Sequence, residues 1–414
     1  MAGPLTGVRV LELSRILAGP WAGQLLADFG AEVIKVERPG CGDDTRSWGP
    51  PWLSDNSDEL TDQSAYFLST NRGKRSVAID FSHVEGQRLV RGLAVQSDIL
   101  IENFKVGALA RFGLDFDSLK SVHPGLIYCS ITGFGQTGPR AGQAGYDAAI
   151  QAMGGLMSMT GLPDDQPGGG PQKVGVAVAD LMAGMYAANA VQAALHHRDR
   201  TGQGQYIDLA LLDTQVAWLA NQAANYLVGG DVPGRLGTAH PNIVPYQAFA
   251  SADGHLMLAV GNDRQFARFA SLVGHPGWAA DERFSTNPQR VKNRAVLVPL
   301  IVTVMRSCST QEWLQRLDQA GVPAAPINDL AEVFNDPQVR ARNMQIEMNH
   351  PRKDRLPGVA NPIRFSATPI DYDRAPPLLG ADTGSILNEL LGTDPADLAR
   401  LSQAGIIGLA DGPW

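Results

Sequence analysis

The chain has 414 residues, of which 44% are apolar and 18% charged, enough for two or three domains with sizeable cores. Lys and Arg number 34 against 42 Asp and Glu, and a net charge of −8 argues against nucleic acid or an anionic membrane as the main partner. An anionic ligand must therefore be held by a local cluster of cations.

Cys41, Cys129 and Cys308 are far apart and form no CxxC motif, which suits a reducing compartment. The eight histidines show no HxH or HExxH spacing, so no metal site is expected. Arg9, Glu12 and Arg15 interrupt any signal-like apolar run near the N-terminus, and no stretch of 18 uncharged apolar residues occurs. No membrane span is expected, and the cytoplasm is the expected compartment.

In chain order, "VRVLEL" (8–13) reads as a strand, "PWAGQLLADF" (20–29) as a helix and "VIKVE" (33–37) as a second strand. This βαβ unit is followed by a strand at 76–80, a helix within 83–96, a strand at 99–102, a short helix near 106–112 and a strand at 126–132. Such alternation predicts a doubly wound α/β domain with a parallel sheet. After the Pro/Gly-rich loop 162–173, a long helix is expected over 178–197. The chain turns loop-like after Val228, and strands and amphipathic helices resume from "HLMLAV" (255–260) to about residue 335. Two short helices, 384–391 and 396–403, close the chain. The domain reading is a large α/β domain over 1–225, completed by 336–414, and a small domain over 226–335.

"GVAVADLMAGMYAA" (175–188) places a single carboxylate, Asp180, in an apolar run. Val178, Leu181, Met182, Met185 and Ala188 recur at helical spacing, so Asp180 suits the N-cap of the long helix. A buried carboxylate without partners costs several kcal/mol, of the order of 2–7 for a polar group and more for a charge, so a chemical role competes with the cap.

Glu37 stands where a dinucleotide fold keeps its ribose-binding acid. The first turn, "SRILAGP", nevertheless lacks the GxGxxG pattern, and "GFGQTG" (133–138) runs into Pro139. No GxSxG elbow occurs, so the hydrolase signature is missing. Cations gather after the expected strand ends: Arg38, Arg46, Arg72, Lys74, Arg75, Lys105 and Arg111. Ligands of open α/β sheets bind there, and such cations suit phosphates, though each alone also suits a solvated surface.

Several long motifs in fixed order carry a resemblance. "PLTGVRVLELSRILAGPWAGQLLADFGAEVIKVERPGCGDDTR", "NRGKRSVAIDF", "ILIENFKVGALARFGLD", "LIYCSITGFGQTGP" and "GVAVADLMAGMYAA" resemble the class III CoA-transferase family, also called the CaiB–BaiF or formyl-CoA transferase family. The likeness continues through "VGNDRQF" and "LGADTGSILNELLG". It implies a Rossmann-like large domain, a smaller α/β domain and an interlocked homodimer. It also implies acyl-CoA and small carboxylic acids as substrates, with no permanently bound cofactor.

On this likeness Asp180 is the nucleophile. Contacts to CoA are implied at Leu17, Ala18, Arg38, Ile79, Asp80, Phe81, Ser82, Asn103, Phe104, Lys105, Arg111, Ala144, Gly145, Tyr146 and Asp147. Two positions depart from formyl-CoA transferases. Leu17 replaces a polar residue, and "VGNDRQF" (260–266) replaces a run of four glycines. Gly261 is the expected oxyanion donor.

A carboxylate nucleophile allows CoA to pass between two acids without loss of the thioester to water. The rival α-methylacyl-CoA racemases share the fold but keep a histidine within the segment that reads "AGYD" here, where Tyr146 is a poor base near neutral pH. A non-catalytic CoA-binding protein leaves Asp180 unexplained. Residues 234–249, "GRLGTAHPNIVPYQAF", resemble the succinyl-CoA:glutarate branch, with Arg235 and His240 expected to hold a dicarboxylate in a loop folding over Asp180.

Overall fold

In a computed structural model that describes residues 3–410, seven strands form the main sheet. They are β1 (Arg9–Glu12), β2 (Glu32–Glu37), β3 (Lys74–Ile79), β4 (Ile99–Glu102), β5 (Ile127–Thr132), β6 (Tyr206–Ala210) and β7 (Ile407–Gly408). Their order is β7-β3-β2-β1-β4-β5-β6, parallel throughout except for the antiparallel edge strand β7. The chain leaves β1 toward β2 on one side and later returns to β4 on the other. That reversal opens a crevice beyond the carboxyl ends of β1 and β4.

Both faces of the sheet are buried, as near-continuous apolar strands require. Leu11, Ile34, Val77 and Leu100 pack with Leu89, Val90 and Leu93 of the helix Val84–Val95 on one face. Val10, Val33, Ile99, Ile127 and Ile131 pack on the other face. Their partners are Ala22 and Leu26 of α1 (Ala18–Asp28), and Ala183, Ala187 and Val191 of a 24-residue helix that we label α3 (Val178–Thr201). A preceding short helix, α2 (Asp147–Met153), packs on the same face through Ile150.

The buried stripe of α3 is built from small residues. Ala179, Ala183, Ala187 and Val191 face inward, while Met185 and Tyr186 are exposed. Close packing explains this. A Cβ on Gly184 would lie 2.6 Å from the Ala18 carbonyl oxygen, so α1 and α3 approach through small residues and the larger side chains turn outward.

Two compact units form. The first takes residues 3–156, Val174–Ala224 and 338–410; the second takes Met157–Lys173 and Asn225–Pro337. Segment 157–173, read from the sequence as part of the large domain, groups with the second unit because Gly237 donates its N–H to the Gly161 carbonyl at 3.0 Å. The second unit has an antiparallel sheet of Ala324–Pro326, His255–Ala259 and Tyr246–Ala250 over a core containing Phe249, Phe266, Phe269 and Trp313. Among the described residues no helix is long and apolar enough to cross a membrane.

Beneath the crevice lies a dry cluster of charges. Glu12 and Lys35 stand opposite each other in the β1–β2 ladder, and the Lys35 ammonium reaches Glu12 Oε1 at 3.0 Å and Asp43 Oδ2 at 2.9 Å. Lys74 reaches Glu12 Oε2 at 2.8 Å, and the side chains of Glu12, Lys35 and Lys74 are completely buried. Gly23 of α1 makes room, since a Cβ there would lie 1.9 Å from Glu12 Oε2. Removing Glu12 would leave two buried ammonium groups short of counter-charge. Glu12→Ala is expected to destabilise the protein by about 3–5 kcal/mol in urea unfolding, as for other broken buried pairs. A loss below 1 kcal/mol, well under that range, would show the cluster to be dispensable.

Candidate active site

Two adjoining cavities, of about 400 and 550 Å³, open at the crevice and share Arg15, Asp44, Phe104 and Ala108. The turn after β1 supplies Arg15 to Ala18, and its shape is held from below. Ile16 adopts φ 72°, a costly backbone for a β-branched residue. Its N–H donates to both Asp43 carboxylate oxygens at 3.2 Å. Asp43 is the same residue that pairs with buried Lys35; although burial opposes ionisation, the Lys35 charge and hydrogen bonds from Thr45 hold its carboxyl down at about 2.

The first cavity is lined by Arg38, Ile79, Asp80, Phe81, Ser82 and Arg111. The second is lined by Leu17, Ala18, Asn103, Phe104, Lys105, Ala144, Gly145, Tyr146 and Asp180. The residues implied for CoA thus meet in one crevice, save Asp147, which lines neither cavity.

The fold divides the candidate cations. Arg46 is locked on Glu37 at 2.7 Å, Arg72 on Asp28 at 2.7 Å and Arg75 on Glu32 at 2.7 Å, while Lys74 belongs to the buried cluster. Glu37 has no oxygen to spare for a ribose, because it also accepts from Ser76 Oγ and the Asp43 N–H. Arg38, Lys105 and Arg111 are exposed and, among the described residues, have no carboxylate within ion-pair distance. Those three remain available to an anionic ligand.

Asp180 is not the cap of α3. Ala177 occupies the N-cap position without a side-chain bond, and Asp180 is the third residue of the helix. The cap comes from α2: Asp147 Oδ1 accepts from the Ala179 N–H at 2.8 Å and more weakly from the Asp180 N–H at 3.4 Å. Gln151, fully buried, holds the other Asp147 oxygen at 2.7 Å and accepts from the Val174 N–H at 3.0 Å. The helix's electropositive end is therefore occupied by Asp147, and the Asp180 carboxyl faces the cavity with no hydrogen bond among the described residues. Burial pushes it up to about 7, and the neighbouring Asp147 charge adds to the rise.

Trp48 also lines this cavity and meets Tyr66 edge to face at 5.1 Å. Burial raises the Tyr66 phenol and the Asp180 charge raises it further, which places Tyr66 in the field of that carboxylate. The sequence reading missed Arg15, Trp48 and Tyr66. Arg15 lies inside the first quoted motif without being singled out there as a site residue, and Trp48 and Tyr66 fall between quoted motifs.

In the second unit, Arg235 was expected to face a substrate but is engaged by the segment 158–164. It donates to the Ser158 and Leu162 carbonyls at 2.9 and 3.3 Å and pairs with Asp164. The His240 Nδ1 accepts from the Asn242 N–H at 3.0 Å and its ring rests on Tyr246. Gly261, expected as an oxyanion donor, gives its N–H to Gln265 Oε1 at 2.8 Å.

A mostly parallel α/β sheet with an unpartnered carboxylate in a cation-rimmed crevice suits group transfer on an anionic ligand. The family model described as CoA-transferase family III matches residues 5–383, and the chain belongs to that family as a CoA-transferase. It is similar to a succinate–glutarate CoA-transferase of Agrobacterium fabrum, 51% identical over 94% of this chain and 96% of the relative. It is also similar to a human succinyl-CoA:glutarate CoA-transferase, 43% identical over 98% of this chain and 90% of the relative. A crystal structure of a CAIB/BAIF family protein from Brucella suis, 50% identical, superposes with a TM-score of 0.83 and covers 94% of this chain and 100% of that one.

The raised carboxyl has a consequence for stability. Asp180 ionises in the unfolded chain at the ordinary carboxylate value but in the folded chain only near 7. Its ionisation therefore favours unfolding, and native stability falls as pH rises from about 4 to 7. Asp180→Asn is expected to match wild type in thermal unfolding at pH 4 and to exceed it increasingly up to about pH 7, above which the difference levels off. A constant difference across that range would refute the raised value.

Proposed function

We propose that this CoA-transferase moves CoA from succinyl-CoA to glutarate or a similar dicarboxylate, with Asp180 as the covalent nucleophile. The observation that carries the reading is the Asp180 carboxyl: among the described residues it has no hydrogen-bond partner, and it lines a cavity that Lys105 also lines and that adjoins the cavity of Arg38 and Arg111. The substrate pair follows from the likeness to the glutarate-specific relatives.

In the cycle, Asp180 attacks the succinyl thioester carbonyl, the C–S bond breaks, and a mixed anhydride and CoA thiolate form. The thiolate attacks the aspartyl carbonyl and expels succinate, leaving an aspartyl-CoA thioester. Glutarate attacks that thioester, releasing thiolate and forming a second anhydride. Attack by thiolate on the glutaryl carbonyl then yields glutaryl-CoA and regenerates Asp180. One thioester replaces another, so no external energy source is required.

Arg38 and Arg111 are assigned to the CoA phosphates. Phe81, Phe104 and Phe112 meet edge to face at 5.8 and 5.6 Å and give that cavity an apolar wall against which an adenine or pantetheine can lie. The family likeness also brings an interlocked homodimer. Met185, Tyr186, Val216 and Trp218, all exposed, supply apolar surface for a second copy. Sedimentation of the protein as a monomer at micromolar concentration would remove that part of the reading.

Asp180→Ala is expected to abolish exchange while free CoA still binds, and hydroxylamine added during turnover should modify the Asp180 peptide of the wild type. Substantial exchange by the Ala variant would overturn the assignment. The acid limb of kcat/KM should rise with pH through about 7, and Asp147→Asn should move it lower by removing a like charge.

Arg38→Ala and Arg111→Ala are each expected to weaken CoA binding by about 1.5–3 kcal/mol in calorimetry, the range for charge-assisted bonds. Wild-type affinity in both variants would place the phosphates elsewhere.

A further inference from the structure

Arg15 has no role in the reading so far, yet it lines both cavities at their junction. Its root is fixed. The Arg15 N–H donates to Asn103 Oδ1 at 2.9 Å, and the Asn103 amide returns a bond to the Arg15 carbonyl at 2.7 Å. The next residue, Ile16, is the one whose N–H is gripped by Asp43. The head is much less constrained. Nη1 meets Asp44 Oδ2 at 2.8 Å in a pair that is half exposed on both sides, and such a pair adds little in water and is easily shared.

Among the described residues, Nε and Nη2 of Arg15 make no hydrogen bond. That edge is the planar fork that receives a carboxylate through two parallel bonds. The guanidinium also lies 5.6 Å from the Phe104 ring centroid, so its stem and face are supported. In the cavity of Asp180 the other cation is Lys105, a flexible point charge suited to a phosphate. Arg235, by contrast, has Nε, Nη1 and Nη2 all engaged by residues of the segment 158–164.

We propose that Arg15 holds the far carboxylate of the acyl group reacting at Asp180, and so makes the enzyme select dicarboxylates. The proposal rests on Asp180 as the nucleophile. Because donor and acceptor visit Asp180 in turn, one anchor serves succinyl-CoA in the first half-reaction and the free diacid in the second. Asp44 keeps Nη1, and the ligand takes the Nε–Nη2 edge.

The test compares Arg15→Met and Arg15→Lys with wild type on glutarate and on pentanoate, which has the same length and lacks the second carboxylate. Arg15→Met should lower kcat/KM for glutarate on the order of 30-fold or more while changing pentanoate by about 3-fold or less, the loss expected for a charge-assisted pair. Arg15→Lys should restore part of the glutarate rate. Where pentanoate turnover is too slow to follow, inhibition constants of the two acids against glutarate give the same comparison.

Free CoA should bind Arg15→Met as it binds wild type. Equal losses for both acids, or a loss of CoA affinity large enough to explain the rate, would overturn the proposal. In either case trapping at Asp180 would still succeed, whereas activity in Asp180→Ala would instead remove the reading beneath it.

Discussion

Glu12 lies between two ammonium groups that water does not reach, and the crevice depends on that contact. Each of three adjacent strands contributes one member: Glu12 from β1, Lys35 from β2 and Lys74 from β3. Lys35 carries the constraint upward to Asp43, and Asp43 carries it to the Ile16 N–H. The strained turn at Ile16 is thereby tied to the sheet, and with it the line Arg15 to Ala18 that walls both cavities. Charges buried this way add little net stability over apolar replacements. What they add here is a turn whose conformation an isoleucine would not adopt alone.

The second constraint is at the end of α3. A helix N-terminus ordinarily lowers the pKa of a carboxylate set against it. At this end Asp147 takes the Ala179 N–H, with Gln151 fixing its angle, and Asp180 is left to burial and to a like charge. One carboxylate caps the helix, and the other is raised by burial and by its neighbour's charge.

Much of the architecture was legible because parallel strands buried on both faces must read as apolar runs with helices between them. The ends of the short C-terminal helices, Thr383–Leu391 and Pro395–Gln403, fall within a residue of the reading for the same reason of clear punctuation. Pairing over long sequence distances was not legible. Arg75 looked like a phosphate cation until the fold brought Glu32 and Glu389 to it, and nothing in the spacing distinguished it from Arg38. The inward face of α3 was not legible, because alanine and glycine carry little hydrophobic signal, yet they decide where two helices can touch. Asp147 was assigned to the ligand by likeness, but its cap is visible only when α2 folds against α3.

The two halves of the proposed cycle make opposite demands on Asp180. When thiolate meets the succinyl–aspartyl anhydride, attack at the aspartyl carbonyl expels succinate, whereas attack at the succinyl carbonyl expels Asp180 and reverses the step. A carboxylate raised toward 7 is the poorer leaving group, which favours the forward direction of the first half in the proposed cycle. In the second half the same basicity works against release of Asp180 from the glutaryl anhydride. By microscopic reversibility, a carboxylate that served only one direction would stall the other. A value set by burial and one neighbouring charge is adjustable: a diacid lying in the cavity displaces water, and its free carboxylate changes the local field as it arrives and leaves. The cation that receives that carboxylate then influences Asp180 as well as the choice of acid, which joins specificity and rate in one cavity.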